Sequence, residues 1–246
     1  MALREEFRQT GEWLFRWRSY LPLLLIALFL LALAGFRHPQ GRSLPGGAWE
    51  VFCLAVSCAG LAIRFFTGGY VPAGTSGRNV KGQVADVLNT TGVYSLVRHP
   101  LYLGNLLIWL GISLFLGIWW LSLLIVLILW LYYERIMFAE EEFLRDKFGE
   151  AFVQWADRTP ALIPKFGNWV KPSLPFSLKT AIRKEYGGFF AMIAVFTALK
   201  IAGEYLSRGG LWIGWQWAAL FSGSLIIYLG VRHLKKRTDW LKVAGR

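Results

Sequence analysis

Charge is scarce in this chain. Of its 246 residues only 17% are Asp, Glu, Lys or Arg, whereas 55% are hydrophobic, and mean hydropathy is +0.43. A soluble fold of this length would need far more polar surface. Cysteine is scarcer still: Cys53 and Cys58 lie five apart in one apolar run. They read as packing residues, which excludes a disulfide framework or a cysteine metal site. No strand–GxG–helix pattern occurs, so the doubly wound nucleotide-binding sheet is excluded. No Gly-Lys-Ser/Thr follows a glycine-rich stretch, which excludes a P-loop. Acidic residues are few as well, 15 against 27 basic, for a net charge of +12. In a soluble protein that excess would point to nucleic acid. In a chain this apolar it points instead to basic loops facing anionic headgroups, with no nucleic-acid partner.

What the chain does have is long apolar runs and thirteen Trp, a residue favoured at the membrane–water boundary. The runs are Tyr20–Phe36, Trp49–Phe66, Leu101–Tyr133, Gly188–Leu206 and Leu211–Val231. The third is too long for one crossing at ~20 residues per span. Gly117 and the Trp119–Trp120 pair near its middle predict a helical hairpin. The expectation is an all-α polytopic membrane bundle of about six spans. Arg64, near one end of the second, is placed to snorkel. No ionisable residue falls at the middle of a span, which argues against an ion path. The first run resembles a signal peptide, but its charged leader of about twenty residues contains Trp13, Phe15 and Trp17, so it is read as a retained span.

Basic residues set the orientation. Four precede the first span (Arg4, Arg8, Arg16, Arg18), three lie between the second and third (Arg78, Lys81, Arg98), nine between the fourth and fifth, and six follow the last. The other side holds only Arg37, Arg42, Lys200 and Arg208. By the positive-inside rule both termini and the richer loops are cytoplasmic, in an arrangement suited to a bacterial inner membrane.

Two segments on that cytoplasmic face carry candidate chemistry. The first opens with a glycine-rich stretch, Gly68 to Asn79. It reads either as a plain turn-forming loop or as a cradle where Thr75, Ser76, Arg78 and Asn79 hold an anion. The segment closes on Gly92-Val93-Tyr94 and Arg98-His99-Pro100-Leu101-Tyr102-Leu103-Gly104. Pro100 suits the first turn of a helix. Arg98 and His99 then sit at its positive end, as an anion site or as an interfacial pair. Gly104, one turn in, would let a ligand approach the backbone. The second segment carries Glu140, Glu141 and Glu142, then Leu144, Phe148, Phe152 and Trp155. At helical spacing these four apolar residues share one face, predicting an amphipathic helix at the membrane surface that ends before Pro160. The glutamates read as a solvated face, with Glu141 to Arg145 as an i,i+4 pair, or as ligands for a cation.

Together these motifs resemble the isoprenylcysteine carboxyl methyltransferase and phospholipid methyltransferase superfamily of membrane enzymes. Its pattern is Gly-x-Tyr, then Arg-His-Pro-x-Tyr-x-Gly opening a hairpin, then Glu-Glu-x-x-Leu-x-x-x-Phe-Gly and a closing Pro. The matching residues here are Gly92/Tyr94, Arg98/His99/Pro100/Tyr102/Gly104, Glu140/Glu141/Leu144/Phe148/Gly149, and Pro160 with Pro164. The resemblance implies S-adenosylmethionine in a cytoplasm-facing pocket, touching Leu88, Asn89, Tyr94, His99, Tyr102, Gly104 and Glu140. It implies catalytic roles for Arg98 and Glu141. A substrate-contacting arginine of the family has its nearest counterpart in Arg135, offset by one position. No metal is implied.

The division that follows is a two-span N-terminal region (1–67), a methyltransferase core (68–166) and a two-span extension (167–246). The expected activity is methyl transfer to a membrane-embedded lipid. Arg78, Ser76 and Asn79 favour a phosphate or carboxylate headgroup. The near alternative is an isoprenylcysteine carboxylate. A sterol-reductase-like NADPH enzyme shares the Arg-His-Pro element but not the Glu pair, and a non-enzymatic scaffold or transporter is the third class.

Overall fold

The computed structural model describes residues 2–35, 46–75 and 83–246. In order the helices are α1 (Leu3–Trp17), α2 (Leu24–Gly35), α3 (Ala48–Tyr70), α4 (Val93–Leu96), α5 (Pro100–Phe115), α6 (Trp119–Phe148), α7 (Glu150–Arg158), α8 (Leu178–Arg208) and α9 (Trp215–Arg237). No strand occurs among the described residues. The expected all-helical membrane bundle is what the chain forms.

α3, α6, α8 and α9 are long and apolar enough to cross a bilayer, and α1 with α2 adds a fifth candidate bent by 72°. The sixth expected span is α5. At 16 residues it reaches only about 24 Å, short of the ~30 Å hydrocarbon core. The hairpin itself forms where expected: Gly117, at φ 68°, separates α5 from α6, and only glycine adopts that region without strain.

Helix ends differ from the apolar runs because hydrogen bonding continues past hydrophobicity. α8 begins ten residues before Gly188, where the Ser177 side chain accepts from the Thr180 N–H, an N-cap. The expected continuous surface helix after the fourth span does not form. Gly149, at φ 53°, ends α6, and a separate helix, α7, follows it. Phe152 is fully buried, and the Trp155 indole donates to the Tyr94 carbonyl over 3.3 Å. The apolar face of α7 is therefore turned onto the protein.

α3 and α5 pack through small residues. The Ser57 hydroxyl donates to the Ile108 carbonyl over 2.9 Å. A Cβ on Gly104 would stand 2.7 Å from the Gly60 carbonyl oxygen and 2.6 Å from Arg64 Cγ. Close glycine-mediated contact is a recurrent way for membrane helices to associate. Gly104 thus serves helix packing, where a close approach by a ligand had been expected.

The core joins Phe115, Phe196 and Trp217, with Phe115 edge-on to both rings at 5.1 and 5.5 Å. α1 lies along α6, with Arg4 paired to Glu142 at 2.6 Å and Phe7 edge-on to Phe138.

Arg64 does not snorkel. It makes a two-pronged pair with Glu185 on α8, both contacts 2.9 Å, and donates to Asn105 on α5 over 2.7 Å. Lys200 lies within α8, 2.7 Å from Glu50 on α3 and 3.2 Å from Glu204. Charges inside helical spans are tolerated when paired in this way.

Candidate active site

The first link in the site is backbone. The Arg98 and His99 amides donate to the carbonyls of Pro160 and Ala161 over 2.9 and 3.1 Å, and Lys165 N–H donates to the Leu96 carbonyl over 2.9 Å. The segment after α7 is thereby tied across the chain that enters α5. Pro100 occupies the first turn of α5, as expected, with His99 as its N-cap.

On this frame the adjacent carboxylates of α6 take different partners. Glu141 accepts from Arg98 Nε at 2.8 Å and Nη2 at 3.3 Å. The remaining Arg98 nitrogen, Nη1, donates to the carbonyls of Ala156 and Thr159 over 2.7 and 2.6 Å. His99 Nε2 lies 2.8 Å from Glu141 Oε1, and its Nδ1 is 3.5 Å from Glu140 Oε2. Glu141 is therefore committed to Arg98 and His99, and the expected Glu141–Arg145 pair is absent. Arg145 instead meets Glu142 at 3.3 Å.

Glu140 faces the other way. It accepts from the Tyr102 hydroxyl over 2.8 Å. Tyr102 is stacked between His99, at 5.8 Å between centroids, and Tyr133, at 4.9 Å. Burial acts to lower the pKa of His99, but its contacts with Glu140 and Glu141 outweigh burial and raise it above the ordinary value. The protonated form of the ring, lying between two carboxylates, is thereby favoured. Burial, with a smaller contribution from Glu140, pushes the Tyr94 phenol well up, so it stays neutral.

These groups open on a cavity of about 520 Å³, within the usual range for small-molecule sites. Leu88, Asn89, Tyr94, Arg98, His99, Tyr102 and Glu140 all line it. Of the remaining expected site residues, Glu141, Gly104 and Arg135 do not. Glu141 lies behind the wall, holding Arg98 and His99. Gly104 is packed against α3. Arg135 sits on the α1 side of α6, its guanidinium 3.4 Å from the Phe7 ring centroid. Its offset of one position turned it onto another face, because one residue rotates a helix by ~100°. Ser76, Arg78 and Asn79 lie outside the described residues, although the neighbouring Thr75 reaches the cavity.

Other wall residues escaped the sequence reading. Phe15 comes from α1 and Arg18 and Ser19 from the turn after it, Arg64 and Asn105 from α3 and α5, Arg183, Lys184 and Glu185 from α8, and Lys235 from α9. One available signal was the run Arg183-Lys184-Glu185 just ahead of an apolar stretch. Among the described residues no group of three or more His, Cys, Asp or Glu is placed to hold a metal ion.

Residues 54–151 match the family model described as phospholipid methyltransferase. The chain is 31% identical over 119 residues to the protein-S-isoprenylcysteine O-methyltransferase of Schizosaccharomyces pombe, covering 47% of this chain and 50% of that one. Over 86 residues it is 37% identical to the cobalt-zinc-cadmium resistance protein CzcN of Cupriavidus metallidurans, covering 35% and 39%. Protein-S-isoprenylcysteine O-methyltransferase B of Arabidopsis thaliana is 35% identical over 78 residues, 31% and 39% of the two chains. The chain thus spans half or less of the length of these curated relatives. No solved structure matches it.

Proposed function

We propose that this chain, whose residues 54–151 match the family model described as phospholipid methyltransferase, transfers a methyl group from S-adenosylmethionine to a membrane-embedded lipid bearing an anionic headgroup. The observation that carries the reading is the Glu140–Tyr102–His99 cluster on the cavity wall. When bound, the cofactor supplies an electrophilic methyl on a sulfonium.

The residues on the wall fit such a group. Glu140 offers a carboxylate to an ammonium, and the rings of Tyr94 and Tyr102 offer faces to a sulfonium or an adenine. Asn89 and Leu88 give one polar and one apolar contact beside them. The N-terminal end of α5, where His99 stands, suits the cofactor's carboxylate. Arg98 lines the cavity but is held from behind the wall by Glu141. They lock His99 and the entry to α5, and so position the groups that do the binding. Methyl transfer is a displacement that needs alignment and exclusion of water. The walls supplied by α1, α7 and α8 contribute to both.

The functional core in this reading is 68–166, with 167–246 closing one side of the cavity. The site faces the cytoplasm, as the basic loops imply, and the setting is a bacterial inner membrane. Two relatives named as isoprenylcysteine methyltransferases support a second acceptor, a prenylated cysteine carboxylate.

The test uses purified full-length protein in lipid nanodiscs. Calorimetry should show binding of S-adenosylhomocysteine and none of NADPH; the converse sinks the reading. Isotopically labelled methyl donor, offered with a total lipid extract or with N-acetyl-farnesylcysteine, then identifies the acceptor by mass spectrometry.

A further inference from the structure

The cavity has two chemically unlike ends. One, built by the α5–α6 hairpin, carries Glu140 among tyrosines. At the other, α8 contributes Arg183 and Lys184 and α9 contributes Lys235. Between them stands the Arg64–Glu185–Asn105 bridge. Arg64 is neutralised there by Glu185, as Arg98 is by Glu141. Arg183, Lys184 and Lys235 are the further basic residues that line the α8–α9 end.

We infer that this end, with Arg183 and Lys184 on α8 and Lys235 on α9, is the seat for the anionic headgroup of a membrane lipid. The inference deepens the methyl-transfer reading and rests on it for its purpose, although binding at the seat is measurable without turnover.

Several features support it. Lys184 is half-buried, and its stem runs over Gly68 on α3, where a Cβ would stand 3.4 Å from Lys184 Cδ. Its position is thus shaped by the cavity wall rather than by lipid. Arg183 donates to the backbone carbonyl of Arg246 over 2.8 Å, which anchors its side chain. The Lys235 ammonium stands 5.4 Å from the Tyr186 ring centroid, exposed in the last turn of α9. A cofactor with net positive charge is repelled from such a group of cations, whereas a phosphate or carboxylate is attracted.

Depth favours a lipid over a soluble anion. The seat lies at the start of α8 and the end of α9, two candidate spans. The body of α9 exposes Leu220, Ile226, Ile227 and Leu229. Basic residues at the end of such a helix lie at headgroup level. Ordinary interfacial lysines share that depth, but they do not line an interior cavity.

The experiment measures binding of four probes to the full chain in detergent: dioctanoyl phosphatidic acid, dioctanoyl phosphatidylcholine, inorganic phosphate and S-adenosylhomocysteine. Phosphatidic acid should bind more tightly than phosphatidylcholine or phosphate. Lys184→Gln combined with Lys235→Gln should weaken it by about tenfold, the scale of lost charge-assisted hydrogen bonds, while S-adenosylhomocysteine binding stays within about twofold. Lys184→Arg with Lys235→Arg should restore most of the affinity. Lys235→Glu, at an exposed position that folding tolerates, should weaken phosphatidic acid in the same direction.

Three results would overturn the inference. One is equal binding of the two lipids. Another is loss of S-adenosylhomocysteine binding in step with phosphatidic acid, which would assign the basic end to the cofactor. The third is phosphate binding as tightly as phosphatidic acid, which would make the ligand a soluble anion. If wild-type protein binds phosphatidic acid selectively but not S-adenosylhomocysteine, the headgroup seat stands and the methyl-transfer reading fails.

Discussion

Glu140 and Glu141 are neighbours on one helix, yet they face different worlds. Glu141 is closed within a network of Arg98 and His99, 2.8 Å from each. Glu140 meets the Tyr102 hydroxyl at 2.8 Å and lines the cavity. The ~100° step between consecutive helical residues separates a positioning carboxylate from a binding one. The two should therefore fail differently.

Glu140→Gln should weaken S-adenosylhomocysteine by about tenfold or more, because a hydrogen bond to a charged group contributes roughly 1.5–3 kcal/mol. The unfolding midpoint should change little, since an amide oxygen still accepts from Tyr102. Calorimetry and thermal unfolding on the same preparation check both halves. An unchanged affinity would remove Glu140 from the cofactor site.

Glu141→Ala should instead destabilise the fold by roughly 3–5 kcal/mol, the cost of leaving the largely buried Arg98 without its carboxylate. Arg98→Ala should act similarly and also strand the Ala156 and Thr159 carbonyls. Loss of binding with a normal midpoint would show that Glu141 touches ligand directly.

The raised pKa of His99 gives a pH dependence with a defined sign. Its proton is held more tightly in the folded chain than in the unfolded chain, where the value is about 6.5. The stability gained is fully present below that value and is lost as pH rises through the higher folded one. The unfolding midpoint should fall as pH rises above the unfolded value of about 6.5, and His99→Gln should flatten that fall. A wild-type profile that is level there contradicts the favoured protonated form.

Gly104→Leu should separate α3 from α5 and cost about 1–3 kcal/mol or more, as overpacking does. Its Cβ alone would already crowd the Gly60 carbonyl and Arg64. Stability measured in detergent decides this, and a neutral outcome would mean that the two helices are not in close contact.

Orientation is open to labelling. In a background lacking Cys53 and Cys58, a cysteine at Pro164 should react only from the cytoplasmic side, and one at Gly210 only from the opposite side. Labelling of both from the same side would refute the charge-based topology.

Much of this was legible because it is local. Apolar runs too long to be soluble mark out a helical membrane protein wherever their partners lie. Gly117 shows its hairpin turn, Pro100 its first helical turn, and the ordered motifs from Gly92 to Pro164 their superfamily. Periodicity failed where a backbone break intervened. The apolar spacing from Leu144 to Trp155 suggested one continuous helix, but Gly149 breaks it.

The sequence by itself determined the class of the molecule and the order of its motifs, since hydropathy, charge bias and turn chemistry act within a few residues of where they are written. Only the tertiary structure decided which of two adjacent glutamates faces the cavity, that Gly104 meets a helix, and that Arg135 turns to α1. It also decided that Arg64 reaches Glu185, 121 positions away along the chain. Those outcomes depend on helix rotation and on contacts between distant segments. Pairing of distant charges is set by which faces the bundle presses together, and no local pattern encodes that.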